Sequence, residues 1–343
     1  MSVLELKNVS VRFGGLTAVN SVSFAIEPGE IVAVIGPNGA GKTTLFNAVS
    51  GVYAPTEGSV FFLGQNLLSR FTSRQLLLSL FAGLSLGFIC LIGSNAQSIW
   101  EAVIVANYLY LEPFPWGKAA SDLLRVIAST FLGDGLLPAL LGVCCGTLGT
   151  ISIWRENRRA PHITSQRGIA RTFQNIRLFP QMTALENILI PLEARAALQV
   201  LSGALRLPGF TRRETIKRER AFELLNFVGL AGFERSRANS LSYGHARRLE
   251  IARALACDPK LILLDEPAAG MNPVELDDLI KLVQRIRERG VTVVLIEHHM
   301  KVVMSISDRV VVLDYGNKIA EGTPVEIQGN ARVIEAYLGK EAA

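Results

Sequence analysis

Gly36-Pro37-Asn38-Gly39-Ala40-Gly41-Lys42-Thr43 sets glycines, a lysine and a hydroxyl at the spacing G-x-x-x-x-G-K-[ST]. Glycines let backbone N–H groups converge on phosphate oxygens, and the helix that follows adds the partial positive charge of its N-terminus. Lys42 is expected to reach the β- and γ-phosphates of ATP. The Thr43 hydroxyl is expected to ligate Mg2+, and Thr44 follows in the same turn as a further nucleotide contact. A second group lies far downstream. Leu261-Ile262-Leu263-Leu264 ends in Asp265-Glu266, delivering two carboxylates to the carboxyl end of a strand, where open α/β sheets bind ligands. Alone, such a pair is more often a helix cap or a surface pair. Beside a phosphate loop, Asp265 suits Mg2+ held mostly through water, and Glu266 suits a base that orients the attacking water.

These residues need a parallel sheet to hold them. A buried run, Ile31–Ile35, precedes the phosphate loop, and strand patterns occupy Val3–Phe13 and Val22–Ile26. Leu261–Leu264 and Val291–Ile296 are short continuous apolar runs, the pattern of parallel strands covered on both faces. Helical patterns separate them, so the class is α/β. Arg309–Pro324 reads as a hairpin around Tyr315-Gly316-Asn317, and Ala331–Leu338 as a short helix. The chain of 343 residues carries a net charge of +5, mild over this length and no footprint for nucleic acid. Cys90, Cys144, Cys145 and Cys257 have no metal-ligand spacing and suggest no disulfide framework. The opening residues alternate as a strand does, unlike a signal peptide.

Residues 70–159 differ in kind from the rest. They hold all three tryptophans, and they help raise the hydrophobic content to 49%, high for a soluble protein. Gln75–Trp100 and Gly135–Trp154 carry no charge, and each is long enough to cross about 30 Å of hydrocarbon. Arg70 and Arg74 flank the first, and Arg155, Arg158 and Arg159 follow the second. The connection holds Glu101, Glu112, Lys118, Asp122, Arg125 and Asp134. Positive flanks at both ends predict a membrane-associated two-helix hairpin with both ends cytosolic. A hairpin lying on the membrane surface and a buried soluble hairpin are the competing readings, and Ala102–Leu111 is too short to span.

Leu241-Ser242-Tyr243-Gly244-His245, running into Ala246–Leu255, resembles the signature motif of ABC transporter ATPases and its helix. It stands in that family's order relative to Asp265. Gln174, in Arg171-Thr172-Phe173-Gln174, resembles the Q-loop glutamine that contacts Mg2+ or water. His298 resembles the switch histidine near the γ-phosphate, and Phe13 the aromatic that stacks on adenine, although unaided it reads as a core strand residue. Asn272 and His299 stand where the family usually has aspartate. Phe13–Val19, Arg171–Phe179, Pro267–Gly270, Ile296–Met300 and Val333–Gly339 are similar to the high-affinity branched-chain amino-acid importer ATP-binding subunits.

The resemblance covers residues 1–69 and 160–343 and leaves 70–159 as an insertion of no recognised family. It implies a P-loop NTPase of the ABC type, with a mostly parallel core sheet, an antiparallel β subdomain and a helical subdomain. It further implies two such subunits, alike or paralogous, closing on ATP between the phosphate loop of one and the Ser242–Gly244 corner of the other. The partners would be ABC permease subunits and, indirectly, an extracytoplasmic solute-binding protein, at the cytoplasmic face of the cell membrane. Urea or amide import, lipid export and a non-transport ABC role are the alternatives.

Overall fold

The computed structural model describes residues 2–67, 73–108, 113–132, 135–157, 161–194 and 210–338. Two compact units divide the chain, one of residues 1–68 and 159–343 and one of residues 69–158.

In the larger unit, β1 (Leu4–Phe13), β2 (Leu16–Ile26), β4 (Glu57–Phe62) and β5 (Gln65–Asn66) form an antiparallel sheet in the order β2-β1-β4-β5. A six-stranded sheet runs in the order β10-β9-β3-β8-β7-β6. Its members are β3 (Ile31–Ile35), β6 (Ile169–Arg171), β7 (Leu261–Asp265), β8 (Thr292–Ile296), β9 (Arg309–Asp314) and β10 (Asn317–Gly322). Five of these strands are parallel, and β10 pairs antiparallel with β9.

Every residue of β3, β7 and β8 is buried. Alternation explains why their sequences show no polar face. Ile31, Ala33 and Ile35 enter a core shared with the helices, while Val32 and Val34 enter one shared with the antiparallel sheet. Each such Ile, Val or Leu contributes about 1.5–3 kcal/mol by leaving water. The hairpin of β9 and β10 and the helix Ala331–Leu338 occur where the sequence places them. The second strand, expected over Val22–Ile26, starts earlier at Leu16 and pairs with β1 to its end, where Phe13 faces Leu16.

Among the described residues of the smaller unit there are four α-helices, two long ones at the stretches where the hairpin is expected and two others between them. These are α2 (Ser73–Ser94), α3 (Ala96–Val103), α4 (Trp116–Leu132) and α5 (Leu136–Asn157), α1 being Lys42–Val49 of the larger unit. The uncharged run Gln75–Trp100 breaks at Asn95. There Asn95 Nδ2 and Ser94 Oγ both donate to the Leu91 carbonyl and compete with the helix for its last acceptors. α4 escaped notice because Lys118, Asp122 and Arg125 interrupt it, although they share one side of the helix at helical spacing. Arg70, Glu112, Asp134, Arg158 and Arg159 lie outside the described residues.

Candidate active site

The phosphate loop joins β3 to α1, and its glycines are structural necessities at two points. Gly36 has φ 149°, and a Cβ there would lie 2.0 Å from the Leu313 carbonyl oxygen; at Gly41, with φ 94°, it would lie 2.3 Å from that of Ala18. The β9–β10 turn supports the loop, with the Gly316 N–H donating to the Ala40 carbonyl at 3.1 Å. Asn38, Gly39 and Thr43 are exposed on the loop, Pro37 and Thr44 half-buried. Lys42 is buried, and its Nζ donates to the carbonyls of Gly36 and Pro37 at 2.7 and 2.8 Å. Burial lowers the Lys42 pKa, while the nearby Glu266 and Asp265 carboxylates oppose that shift.

β7 delivers the two carboxylates. Asp265 Oδ2 accepts from Arg171 at 2.8 Å, and its buried Oδ1 has no hydrogen-bond partner. The same guanidinium reaches Asn47 Oδ1 and Ser50 Oγ of the phosphate-loop helix and its end, at 2.6 and 3.0 Å. It thereby ties β6, β7 and α1 into one polar joint.

Glu266 turns out of the strand with φ 47°. One of its oxygens accepts from Gln174 Nε2 at 2.8 Å, and the other lies 2.9 Å from His298 Nε2. Gln174 and His298, drawn from distant parts of the sequence, therefore meet on one carboxylate.

Ser242 caps the helix Tyr243–Leu255, its Oγ accepting from the His245 N–H. Gly244 is buried where a Cβ would meet Glu275 Oε1 at 2.4 Å. None of the hydrogen bonds among the described residues joins Ser242 or Gly244 to the phosphate loop of the same chain. Phe13 is a surface residue rather than a core one, 45% exposed at the end of β1 and in a T-shaped contact with Tyr53, the ring centroids 5.2 Å apart. Asn272, standing in place of an aspartate, caps the helix Pro273–Glu288 in a full capping box.

Sequence reasoning missed three supporting groups. Arg247 and Glu250, fully buried on the Tyr243–Leu255 helix, pair at 2.8 Å. Arg247 also donates to the carbonyls of Phe173 and Gln174 at 2.6 and 2.7 Å, so this pair fixes the backbone that carries Gln174. Glu297 is buried beyond β8, where it accepts from Ala268 N at 2.7 Å and His298 N at 3.1 Å. Burial pushes its carboxyl above the usual range against the pull of those amides. The available signal was a carboxylate directly after an apolar strand, the same pattern that marks Asp265.

A mostly parallel sheet with a phosphate loop after β3, a carboxylate pair at the end of β7, the next strand but one, and a capped signature helix defines an ATP-binding-cassette ATPase. The ABC transporter family model matches residues 19–82 and 135–269, and that of the branched-chain amino acid ATP-binding cassette transporter matches residues 317–343. The chain belongs to the ABC transporter family and is an ATPase whose ATP hydrolysis is coupled to transport. It is 35% identical to the high-affinity branched-chain amino acid transport ATP-binding protein BraF of Pseudomonas aeruginosa, and 33% to LivG of Escherichia coli. In each case 98% of both chains is covered. It is 26% identical to the lipopolysaccharide export system ATP-binding protein LptB of Haemophilus influenzae, over 99% of both chains. A nucleotide-free ATP-binding cassette from an ABC transporter has the same fold, with TM-score 0.62, 24% identity and coverage of 99% of this chain and 100% of that one.

Proposed function

We propose that this chain powers import of branched-chain amino acids, as one of two ATPase subunits, alike or paralogous, acting on a pair of permeases at the cytoplasmic face of the membrane. An extracytoplasmic solute-binding protein would deliver the substrate, and the unit of residues 69–158 would anchor the subunit to the membrane. The meeting of Gln174 and His298 on Glu266, next to the phosphate loop, carries the hydrolytic part of this reading. The likeness to BraF and LivG supports the substrate class.

ATP would bind with its phosphates on the amides of Gly36–Thr44, the Lys42 ammonium leaving its loop carbonyls for phosphate oxygens. Phe13 offers an exposed ring face for the adenine. Thr43, Gln174 and the partnerless Oδ1 of Asp265 are a hard, oxygen-rich donor set that fits Mg2+, which keeps several waters and takes its other ligands from phosphate. Bound there, the ion would neutralise charge on the β- and γ-phosphates. Each oxygen of Glu266 holds one partner and keeps a second lone pair, so the attacking water can bind beside Gln174 and His298 or exchange with one of them. Closure of a second subunit, bringing its Ser242 and Gly244 to the γ-phosphate, would supply the moment for that exchange.

The test is reconstitution with the permeases and binding protein in proteoliposomes. Leucine, isoleucine or valine should stimulate ATP hydrolysis. Glu266→Gln should abolish turnover while ATP-bound dimers accumulate. Turnover of that variant at the parent rate would sink the base assignment, and stimulation by other solutes alone would sink the substrate class.

A further inference from the structure

The described residues of the smaller unit expose many large apolar side chains. On α2, Leu76, Leu77 and Leu78 are consecutive and all exposed, and consecutive helical residues point about 100° apart. Phe81, Leu84 and Ile89 extend this apolar surface along the helix. Only 22% of the most apolar stretch of α2 and 11% of that of α5 is buried, so neither is the core helix of a soluble protein. At 1.5 Å per residue, each 22-residue helix is about 33 Å long, enough to cross the hydrocarbon of a bilayer.

Glycines stand where the two helices approach most closely. A Cβ at Gly83 would lie 2.4 Å from Thr147 Cγ2, and one at Gly87 2.5 Å from Val143 Cγ2. One at Gly142 or at Gly146 would lie 2.8 Å from the Cα of Gly87 or Gly83 respectively. Two glycine pairs, each spaced by four residues, therefore face one another and let the backbones touch. Helices associate this way in lipid, where burying leucine against leucine gains nothing over burying it in acyl chains. The polar atoms inside the pair are satisfied by their own helices. Ser79 Oγ donates to Leu76 O, Thr147 Oγ1 to Val143 O and Thr150 Oγ1 to Gly146 O, at 2.8, 2.8 and 2.9 Å. Such closure is what a solvent without hydrogen bonds demands.

Charge sets the direction. Arg70, Arg74, Arg155, Arg158 and Arg159 stand at the two ends that continue into the ATPase, and the connection carries four acidic residues against two basic ones. Trp100, Tyr108 and Trp116, all exposed, lie in that connection, as aromatics do at a membrane interface. α4 exposes Lys118, Ser121 and Arg125 on one side and is apolar on the other, the make-up of a helix lying in the headgroup region.

We propose that α2 and α5 form a glycine-packed transmembrane hairpin that carries the connection between them, with α4, to the extracytoplasmic surface of the bilayer. This rests on the membrane-anchored reading of the unit given above and adds its topology. In the full chain with its four cysteines replaced by serine, Ser121→Cys on α4 should react with a membrane-impermeant maleimide in intact spheroplasts. Val325→Cys, exposed in the ATPase unit, should react only after lysis. The protein should stay with membranes through an alkaline carbonate wash. Retention with Ser121→Cys labelled only after lysis would overturn the crossing and leave a re-entrant anchor. Release by carbonate would overturn the anchored reading itself.

Discussion

The buried pair Arg247–Glu250 offers a test of how the signature helix holds Gln174. Its side chains are 0% and 2% exposed, and besides their mutual bond they grip the Q-loop from both sides. Arg247 donates to the Phe173 and Gln174 carbonyls, while Glu250 Oε1 accepts from the N–H groups of Phe173 and Arg177, both at 3.3 Å. Glu250→Gln leaves the guanidinium buried without its counter-charge, at a cost of about 3–5 kcal/mol. At about 2–4 °C per kcal/mol for a domain of this size, Tm should fall by about 6–20 °C. The double variant Arg247→Met/Glu250→Leu removes both charges and should recover most of that stability. It cannot restore the bonds that hold Gln174, so its kcat should stay at least about tenfold low, the equivalent of 1.4 kcal/mol of lost positioning. Thermal unfolding and steady-state ATPase assays at saturating ATP read the two effects separately. A single variant that loses less than about 1 kcal/mol, the range of an exposed pair, would refute the assignment of strength. A double variant that regains both Tm and kcat would refute the assignment of role.

Three further outcomes are expected. Lys42→Ala should weaken ATP binding by about 10- to 150-fold, the equivalent of 1.5–3 kcal/mol for charge-assisted bonds, measured by displacement of a fluorescent nucleotide; an unchanged Kd would exclude the loop as the phosphate site. Burial raises the folded-state pKa of Glu297, so between the unfolded and folded values the native chain holds a proton that the unfolded chain releases, and this group lowers stability as pH rises through that window. The Tm difference between the parent and Glu297→Gln should therefore shift in favour of the parent as pH falls across it, and a flat difference would contradict the shift. A chain with residues 69–158 replaced by a short Gly-Ser linker should be soluble and hydrolyse ATP; an insoluble or inactive product would make the insertion part of the core.

The chemistry was legible in the sequence wherever one residue type answers one physical demand. Gly36 and Gly41 are required by positive φ and by carbonyls that leave no room for a Cβ, and the pattern shows them directly. The apolar runs Ile31–Ile35 and Leu261–Leu264 are equally plain, since burial on both faces removes polar residues until the strand end delivers Asp265. Arg247, Glu250 and Glu297 were illegible as partners because their meaning lies in what they face across the fold, and in a linear reading they are ordinary helix and strand-end charges. The short strands β4 and β5 were hidden for a related reason. Glu57, Gly58 and Gln65 are exposed, β4 pairs with the sequence-distant β1, and β5 is a two-residue edge strand paired only with β4.

The place of the insertion follows from how the core closes around it. Leu67 N–H donates to the Val60 carbonyl at 2.8 Å, finishing the antiparallel sheet. On the other side of the insertion, the helix Pro161–Gln166 leads to Arg167, whose guanidinium donates to the carbonyls of Asn66 and Leu67 at 3.0 and 3.1 Å. The two stumps are thus joined by bonds of the ATPase unit itself. Lengthening a flexible connection costs only about 0.6 kcal/mol per doubling, so a roughly sixteenfold extension costs about 2.4 kcal/mol. That is small against the buried strands on which the site stands. Among the described residues, Gln174 and His298, which meet on Glu266, and the Gly316 N–H, which supports the phosphate loop, lie in the larger unit. The interruption between Lys42 and Gln174 therefore separates the parts of the site in sequence while leaving their geometry to the sheet.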